Sequence, residues 1–394
     1  MFAKSIAAVS LLLAIAGCST SPPIAPVAST LWHDELFPSE PGWAVESQAT
    51  VFALDPGMTA ELRAVDLPST DSRRRLQLLL SKIYEAKGIR LSYVGGNTTV
   101  AADTWRNLQG DCLSLTIMAY SAAHYLDIPA HMQEVAVPLN IDRRDGTEFV
   151  NGHVNVYVPT GANFTAAQQG YNTRGMVIDF EPQYDANRLG QLLTEPEVMA
   201  RFYNNRAAQS MARHDEKRAY SYFRAAIGID PHYAPAYANL AQLYVRHGGL
   251  AQPAEQLLRY AIALDGPSYT PLRSMVQLLQ SQGRNDEARQ YVEQLKKREN
   301  EDPYHWLALG LDAMRDEHFD AAIRYLKRSA ELTNGFEEVH RNLSVAYLRT
   351  GQTQAAKKQM DILAKINSDS PWLARLSKKI HNLDSTPEVR GEVH

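Results

Sequence analysis

Cysteine is nearly absent from this chain of 394 residues: it has two, Cys18 and Cys112. That excludes a disulfide framework as the source of stability and leaves too few thiolates for a Cys/His zinc site. Charge of one sign is also lacking. A net charge of −4, from 40 basic and 44 acidic side chains, offers no basic footprint for nucleic acid. Long apolar runs are missing as well. The stretch from Ile6 to Gly17 is too short to span a bilayer comfortably, and no later run is long enough for a membrane-spanning helix. What is left is an ordinary globular composition, with length enough for two domains with substantial cores.

Cys18 closes the apolar N-terminal stretch. Lys4 precedes that stretch, and Ile15-Ala16-Gly17-Cys18 resembles a bacterial lipobox: an aliphatic residue, two small residues, then cysteine. The resemblance implies a signal peptide over residues 1–17, cleavage before Cys18 and lipid on its thiol. Acyl chains add about 0.8 kcal/mol of membrane attachment per buried CH₂, so several chains anchor firmly. Ser19 rather than Asp after the cysteine implies the outer membrane, facing the periplasm, in a Gram-negative cell. An ordinary secretory peptide with a stray cysteine is the alternative. Residues 18–30, with three prolines among small polar residues, read as an extended tether.

From about Tyr203 the chain repeats itself. Tyr203, Tyr237, Leu272, Trp306 and His340 are 34, 35, 34 and 34 residues apart. Each is followed by a small residue, Ala219, Ala254, Ala288, Ala322 and Ala356 in turn, and four residues later by Phe223, Leu258, Val292, Leu326 and Met360. Each unit reads as two amphipathic helices that bury their apolar faces only by stacking on neighbours. The alanines are expected where paired helices approach closely. His247-Gly248-Gly249, Gln282-Gly283-Arg284 and Thr350-Gly351-Gln352 mark turns, and the extra residue between Tyr237 and Ala254 is assigned to Gly248-Gly249. The pattern resembles the tetratricopeptide repeat. That implies about five repeats over residues 197–369 and a concave surface for a protein or peptide partner. Tyr237, Tyr244 and Trp306 are expected in the core. Trp372 to Leu383 reads as a capping helix within residues 370–394.

Residues 31–196 lack the repeat. Ser69-Thr70-Asp71 reads as the cap of a helix from Leu76 to Ala86, Arg90 to Val94 as a short strand, and Gly95-Gly96-Asn97 as a turn. Leu113, Ile117, Tyr120, Ala123 and His124 recur at helical spacing, which puts Cys112 at a helix start. Thiolate is the nucleophilic form of cysteine, and a helix N-terminus favours it. Gly110 is expected to let the backbone turn tightly. Asp111 has two readings: it caps the helix, or it opposes thiolate formation by turning toward the sulfur. A lone cysteine is also a common core residue. Phe149 to Val158 alternates like a strand, with His153, Asn155 and Tyr157 on a face expected to line a cleft, and Val154, Val156 and Val158 on the other. Met176 to Pro182 reads as another strand, in which Asp179 sits among apolar neighbours and needs a partner. An imidazole suits it: Asp179 would hold one tautomer of His153, and His153 would take the Cys112 proton.

Cys112 at a helix start, His153 in a strand and Asp179 in Val177-Ile178-Asp179-Phe180-Glu181-Pro182 come in an order that resembles the transglutaminase-like superfamily, whose α+β core is papain-like. Leu126-Asp127-Ile128-Pro129-Ala130 is similar to its Gly-Ile-Pro-Ala step after the helix, with Asp127 in place of glycine. The likeness runs from Arg75 to Pro182. It implies Cys112 as nucleophile, His153 as base and Asp179 as orienting acid, with no cofactor and no metal. His124 and His131 could also serve as base by chemistry; His124 is expected in the core or at the surface, His131 at a strand start. The Cys112 N–H is the natural first oxyanion donor. Gln109, Asn107 and Trp105 are candidates for a second, each with a structural reading beside it.

The expected architecture is an α+β papain-like, transglutaminase-like domain over residues 31–196, followed by an all-α tetratricopeptide-repeat solenoid. Two functions fit it. In the first, a lipid-anchored periplasmic cysteine enzyme attacks a carboxamide or peptide carbonyl and forms a thioacyl intermediate. Water then resolves it (protease or amidase, preferred because bacterial members are often hydrolases), or an amine does (transglutaminase), while the repeats bind substrate or partner. In the second, a scaffold or assembly lipoprotein of the envelope carries the fold without catalysis.

Overall fold

The computed structural model describes residues 31–63, 91–144, 147–159, 175–180, 190–264, 269–332, 337–366 and 371–384. Cys18, the helix expected from Leu76 to Ala86 and the interior of the loop between Pro159 and Gly175 lie outside the described residues. Helices α1 (Gln48–Phe52) and α2 (Pro56–Arg63) come first, then β1 (Ser92–Tyr93), α3 (Ala101–Asn107), β2 (Gln109–Gly110) and α4 (Cys112–Tyr125). Strands β3 (His131–Arg144), β4 (Thr147–Pro159), β5 (Gly175–Ile178) and β6 (Gln191–Leu193) follow. β1 pairs with β2 in parallel, and the larger sheet is antiparallel in the order β5-β4-β3-β6.

One face of this sheet meets the core as its alternation requires. Val154, Val156 and Val158 of β4 join Met132, Ile178 and Leu193 in the cluster that holds Leu113, Leu115 and Ile117 of α4. Helix α4 buries residues all round, which suits its nearly unbroken apolar sequence. The opposite face of β4 carries His153, Asn155 and Tyr157, all buried. Part of the reason is Tyr157, whose ring covers Gly175 so closely that a Cβ there would overlap it. The β3–β4 register shifts between Val135 and Asn140, so four residues of β3 bulge opposite Gly152. Pro138 lies in that bulge and cannot donate to the ladder.

Ten helices then form five hairpins: α5 (Glu195–Ala212) with α6 (Glu216–Ile229), α7 (Ala234–His247) with α8 (Ala251–Ala263), α9 (Thr270–Ser281) with α10 (Asn285–Glu301), α11 (Pro303–Arg315) with α12 (Phe319–Leu332), and α13 (Glu337–Arg349) with α14 (Thr353–Ile366). Helix α15 (Pro371–Asp384) packs on the last pair. The five repeat alanines are each 0% or 1% exposed. Gly310 serves close approach in the same way: a Cβ there would sit 2.6 Å from Leu326 Cγ. Helix α5 begins with a full capping box between Thr194 and Glu197, of the kind that contributes about 1 kcal/mol.

The turns correct one expectation and extend another. Every hairpin turn has three residues, and the extra residue of the second repeat lengthens α7 to His247 instead of widening the turn. The middle residue of each turn is left-handed: His214, Gly249, Gly283, Glu317 and Gly351 have φ of 60°, 72°, 74°, 59° and 74°. Gly248, the first residue of the second repeat's turn, also has a positive φ, 88°. Trp306 is also a correction. Tyr237 and Tyr244 are core residues, but Trp306 is half-buried, its indole N–H donating to the Asn300 carbonyl at 3.1 Å.

The two halves share one apolar cluster that runs from Leu31 to Ala288. Phe37 stacks on Tyr220 at 4.8 Å between centroids, and Tyr244 Oη donates to the Leu31 carbonyl at 2.8 Å. Glu46 accepts from Tyr222 and Arg206, and Arg201 of α5 pairs with Glu134 of β3. Further along the chain, β3 also lies against α11. A second cluster starts at Leu307 and ends at Leu376.

Candidate active site

Cys112 opens α4, where the expected helix start falls. Asp111 is its N-cap, and its carboxylate is fully occupied in capping: Oδ1 accepts from the Ser114 N–H at 2.8 Å and the Ser114 hydroxyl at 2.6 Å, and Oδ2 accepts from the Thr98 hydroxyl. This settles which of its two readings applies. The segment before the cysteine is clamped from the other side, since Gly110 O accepts from the Val94 N–H at 2.9 Å and Thr99 N–H donates to Ser114 Oγ at 2.9 Å. Gly110 is needed for space and not for a turn. Its φ is not left-handed, but an added Cβ would stand 2.8 Å from Ser114 Cβ. The first-turn N–H groups of α4 have no carbonyl within their own helix, so the cysteine sits where the backbone favours negative charge.

Helix α4 runs beside β4. Cys112 Sγ lies 3.8 Å from the Gly152 carbonyl, and one turn later Thr116 Oγ1 donates to the Val154 carbonyl at 3.0 Å. Four helical residues advance about 6 Å and two strand residues about 6.6 Å, so the two elements stay in step. That places the half-buried sulfur beside the residue preceding His153. His153 Nε2 is 2.6 Å from Asp179 Oδ2, with side chains 4% and 9% exposed. Asp179 follows the end of β5 in register with Asn155, whose Nδ2 donates to the same carboxylate oxygen at 3.0 Å. With Nε2 held by the carboxylate, Nδ1 is the ring nitrogen left to act as base.

Sequence reasoning missed Gln133. It is fully buried, faces Asn155 across the β3–β4 register, and donates from Nε2 to Asn155 Oδ1 at 2.8 Å. Its own Oε1 accepts the Gly190 N–H at 2.8 Å. The only signal in the sequence is a polar residue at an inward position of the alternating run His131 to Val135, and it acquires meaning only through the pairing register.

The rival histidines lie elsewhere. His131 pairs with Tyr157, four strand residues from His153, or about 13 Å along β4. Burial, with the nearby His124, holds its imidazole below the ordinary value. His124 is exposed, with its ring 4.1 Å from that of Tyr120 and its Nε2 3.3 Å from the Ala130 carbonyl. Of the proposed second oxyanion donors, Trp105 is core, Asn107 is exposed, and Gln109 is half-buried in β2. Asp127, in the glycine position of the step after the helix, has φ 51°, the left-handed region that glycine favours. Among the described residues no group of three or more His, Cys, Asp or Glu side chains is placed to hold a metal ion, and no helix is long and apolar enough to cross a membrane.

On the repeats, polar side chains link successive first helices: Asn239 Nδ2 donates to Asn204 Oδ1 at 2.9 Å, and Gln242 Nε2 to Ser274 Oγ at 2.9 Å. Some solved structures are similar to part of this chain. YrrB, a TPR protein with an unusual peptide-binding site, is 18% identical over 45% of this chain and 92% of its own, with a TM-score of 0.24. Pseudomonas aeruginosa pilF is 21% identical over 48% and 88%, with a TM-score of 0.26. PilW, a type IV pilus biogenesis factor, is 17% identical over 45% and 82%, with a TM-score of 0.24. No protein-family model matches the chain, and no curated protein does. The helical-repeat, TPR-like character of residues from Glu195 onward therefore rests on the 34-residue period and the five hairpins themselves.

Proposed function

We propose that this chain binds a protein or peptide partner on its repeats and acts on an amide carbonyl with Cys112 as nucleophile, His153 as base and Asp179 as orienting acid. The observations that support the reading are the buried His153–Asp179 pair and, at the residue just before His153, a Gly152 carbonyl 3.8 Å from the sulfur of a cysteine in the first turn of a helix. In the step proposed, His153 Nδ1 takes the Cys112 proton as sulfur bonds to the carbonyl carbon. The proton then passes to the departing amine, leaving a thioacyl-enzyme. Water or a second amine resolves it, giving a protease or amidase in the first case and a transglutaminase in the second. The Cys112 N–H, at the start of α4, would stabilise the oxyanion. The α+β half would accordingly be papain-like, and the chain a lipoprotein anchored through Cys18 in the outer membrane.

A second reading has its own support. Cys112 Sγ is placed to donate to the Gly152 carbonyl, as a resting thiol does, and the repeats by themselves suit a partner-binding scaffold. Incubating wild-type and Cys112→Ala chains with a periplasmic protein extract separates the two. New peptide termini, or amide cross-links formed with loss of ammonia, that appear with wild type alone support the enzyme. Identical extracts, with partners still captured by both chains, support the scaffold.

A further inference from the structure

Resting on the cysteine-enzyme reading, we infer that Gln133 and Asn155 are positioning residues: a one-way chain of amides that keeps Asp179 an acceptor and so fixes the tautomer of His153. Gln133 is 0% and Asn155 1% exposed, and the two face each other in adjacent strands. Buried amides are costly unless bonded, and these are bonded with a definite direction.

The direction follows from chemistry. A backbone N–H only donates, so the Gln133 atom facing Gly190 is Oε1, at 2.8 Å. The other end of that amide, Nε2, donates to Asn155 Oδ1 at 2.8 Å. Asn155 is thereby turned so that Nδ2 donates to Asp179 Oδ2 at 3.0 Å. An ionised carboxylate only accepts, so the proton between Asp179 and His153 belongs to Nε2, and Nδ1 carries the lone pair. The origin of the chain is fixed by packing: a Cβ on Gly190 would overlap the Glu134 carbonyl, so glycine lets this backbone approach β3. No proton travels along the amides. They only orient, while the Cys112 proton goes to Nδ1.

The test measures Cys112 alkylation by iodoacetamide in the full chain, read by peptide mass mapping from about pH 5.5 to about pH 8.5, the range in which His and Cys titrate. Gln133→Glu is the informative variant. While protonated, the introduced carboxyl can accept from Gly190 and donate to Asn155, as glutamine does. Once ionised it only accepts, turns the Asn155 amide round and presents Oδ1 to Asp179. Position 133 is fully buried, which raises a carboxyl's pKa into this range, so the variant-to-wild-type rate ratio is expected near one at the acid end and to fall roughly tenfold to hundredfold as pH rises, the range for one hydrogen bond to a charged group. A pH-independent ratio, in a variant that melts like wild type, overturns the inference. Should Gln133→Glu not fold, Gln133→Met with ¹⁵N NMR of the His153 ring decides instead: mixed tautomers support the chain, and an unchanged single Nε2–H tautomer overturns it. A wild-type Cys112 with ordinary thiol reactivity overturns the cysteine-enzyme reading together with this one. An activated wild type with a pH-independent ratio sinks the inference alone.

Discussion

His153 donates from Nε2 to Asp179 Oδ2 across 2.6 Å, with both side chains less than a tenth exposed. In such surroundings a hydrogen bond to a charged partner is strong, and leaving either member unpaired is costly. Asp179→Asn removes the charge and offers an amide that can face the ring either way. We expect Cys112 alkylation near pH 6 to fall roughly tenfold to hundredfold. An unchanged rate in a folded variant would leave Asp179 with a structural role only.

Gly110→Ala tests the fit behind the cysteine. The new methyl would stand 2.8 Å from Ser114 Cβ and 3.3 Å from Thr104 Cγ2, in the region where Ser114 and Asp111 build the cap of α4. Overpacking of this kind costs about 1–3 kcal/mol. Urea unfolding should show that loss, and Cys112 reactivity should fall with it.

How far the sequence foretold this structure depends on whether a feature has a local cause. The repeat alanines were legible because close helix approach demands a small residue every 34 positions, and all five are buried. Cys112, His153 and Asp179 were legible as types on elements: a helix start, the polar face of a strand, and a carboxylate among apolar neighbours. The meeting of His153 with Asp179 across β4 and β5 was not, since it comes from pairing register. Gln133 was invisible for the same reason. The left-handed turns were legible only where glycine marks them; His214 and Glu317 adopt the same φ under the demand of a three-residue turn. The face bearing His153, Asn155 and Tyr157 was legible as one polar face, but not the bonds and packing that hold its groups inside.

That turn geometry gives a stability test remote from the site. Glu317 is exposed and left-handed, a conformation that costs a non-glycine residue about 1–2 kcal/mol. Glu317→Gly is expected to stabilise by about 1 kcal/mol after the added freedom of the unfolded chain is counted. The converse, Gly283→Ala, meets nothing within 4 Å and should destabilise through backbone strain alone. Paired chemical-denaturation curves check both signs.

Glu255 links the second and third repeats, accepting from Arg284 and Arg259 at 2.5 Å each. The hydrogen bond from Arg284, with that from Arg259, holds its carboxyl below the ordinary value. A lowered folded-state value means that the stabilisation is complete above the unfolded carboxylate range and is lost as pH falls through the lower, folded value. Glu255→Gln should therefore cost about 0.5–1 kcal/mol near neutral pH, and the difference from wild type should close as pH falls through that lowered value. Unfolding curves from neutral pH down into acid decide it; a difference that persists would assign the effect to packing.

The most direct measurement of the central proposal is the pH dependence of Cys112 alkylation in wild type and His153→Ala. With His153 poised by Asp179 to take the thiol proton as sulfur attacks, the wild-type rate should fall less steeply than that of the variant between about pH 8.5 and about pH 6. His153→Ala should drop about tenfold per pH unit below an ordinary thiol value near 8.5. A wild-type rate that falls just as steeply as that of the variant would contradict the nucleophile–base pair and leave the chain a partner-binding repeat protein.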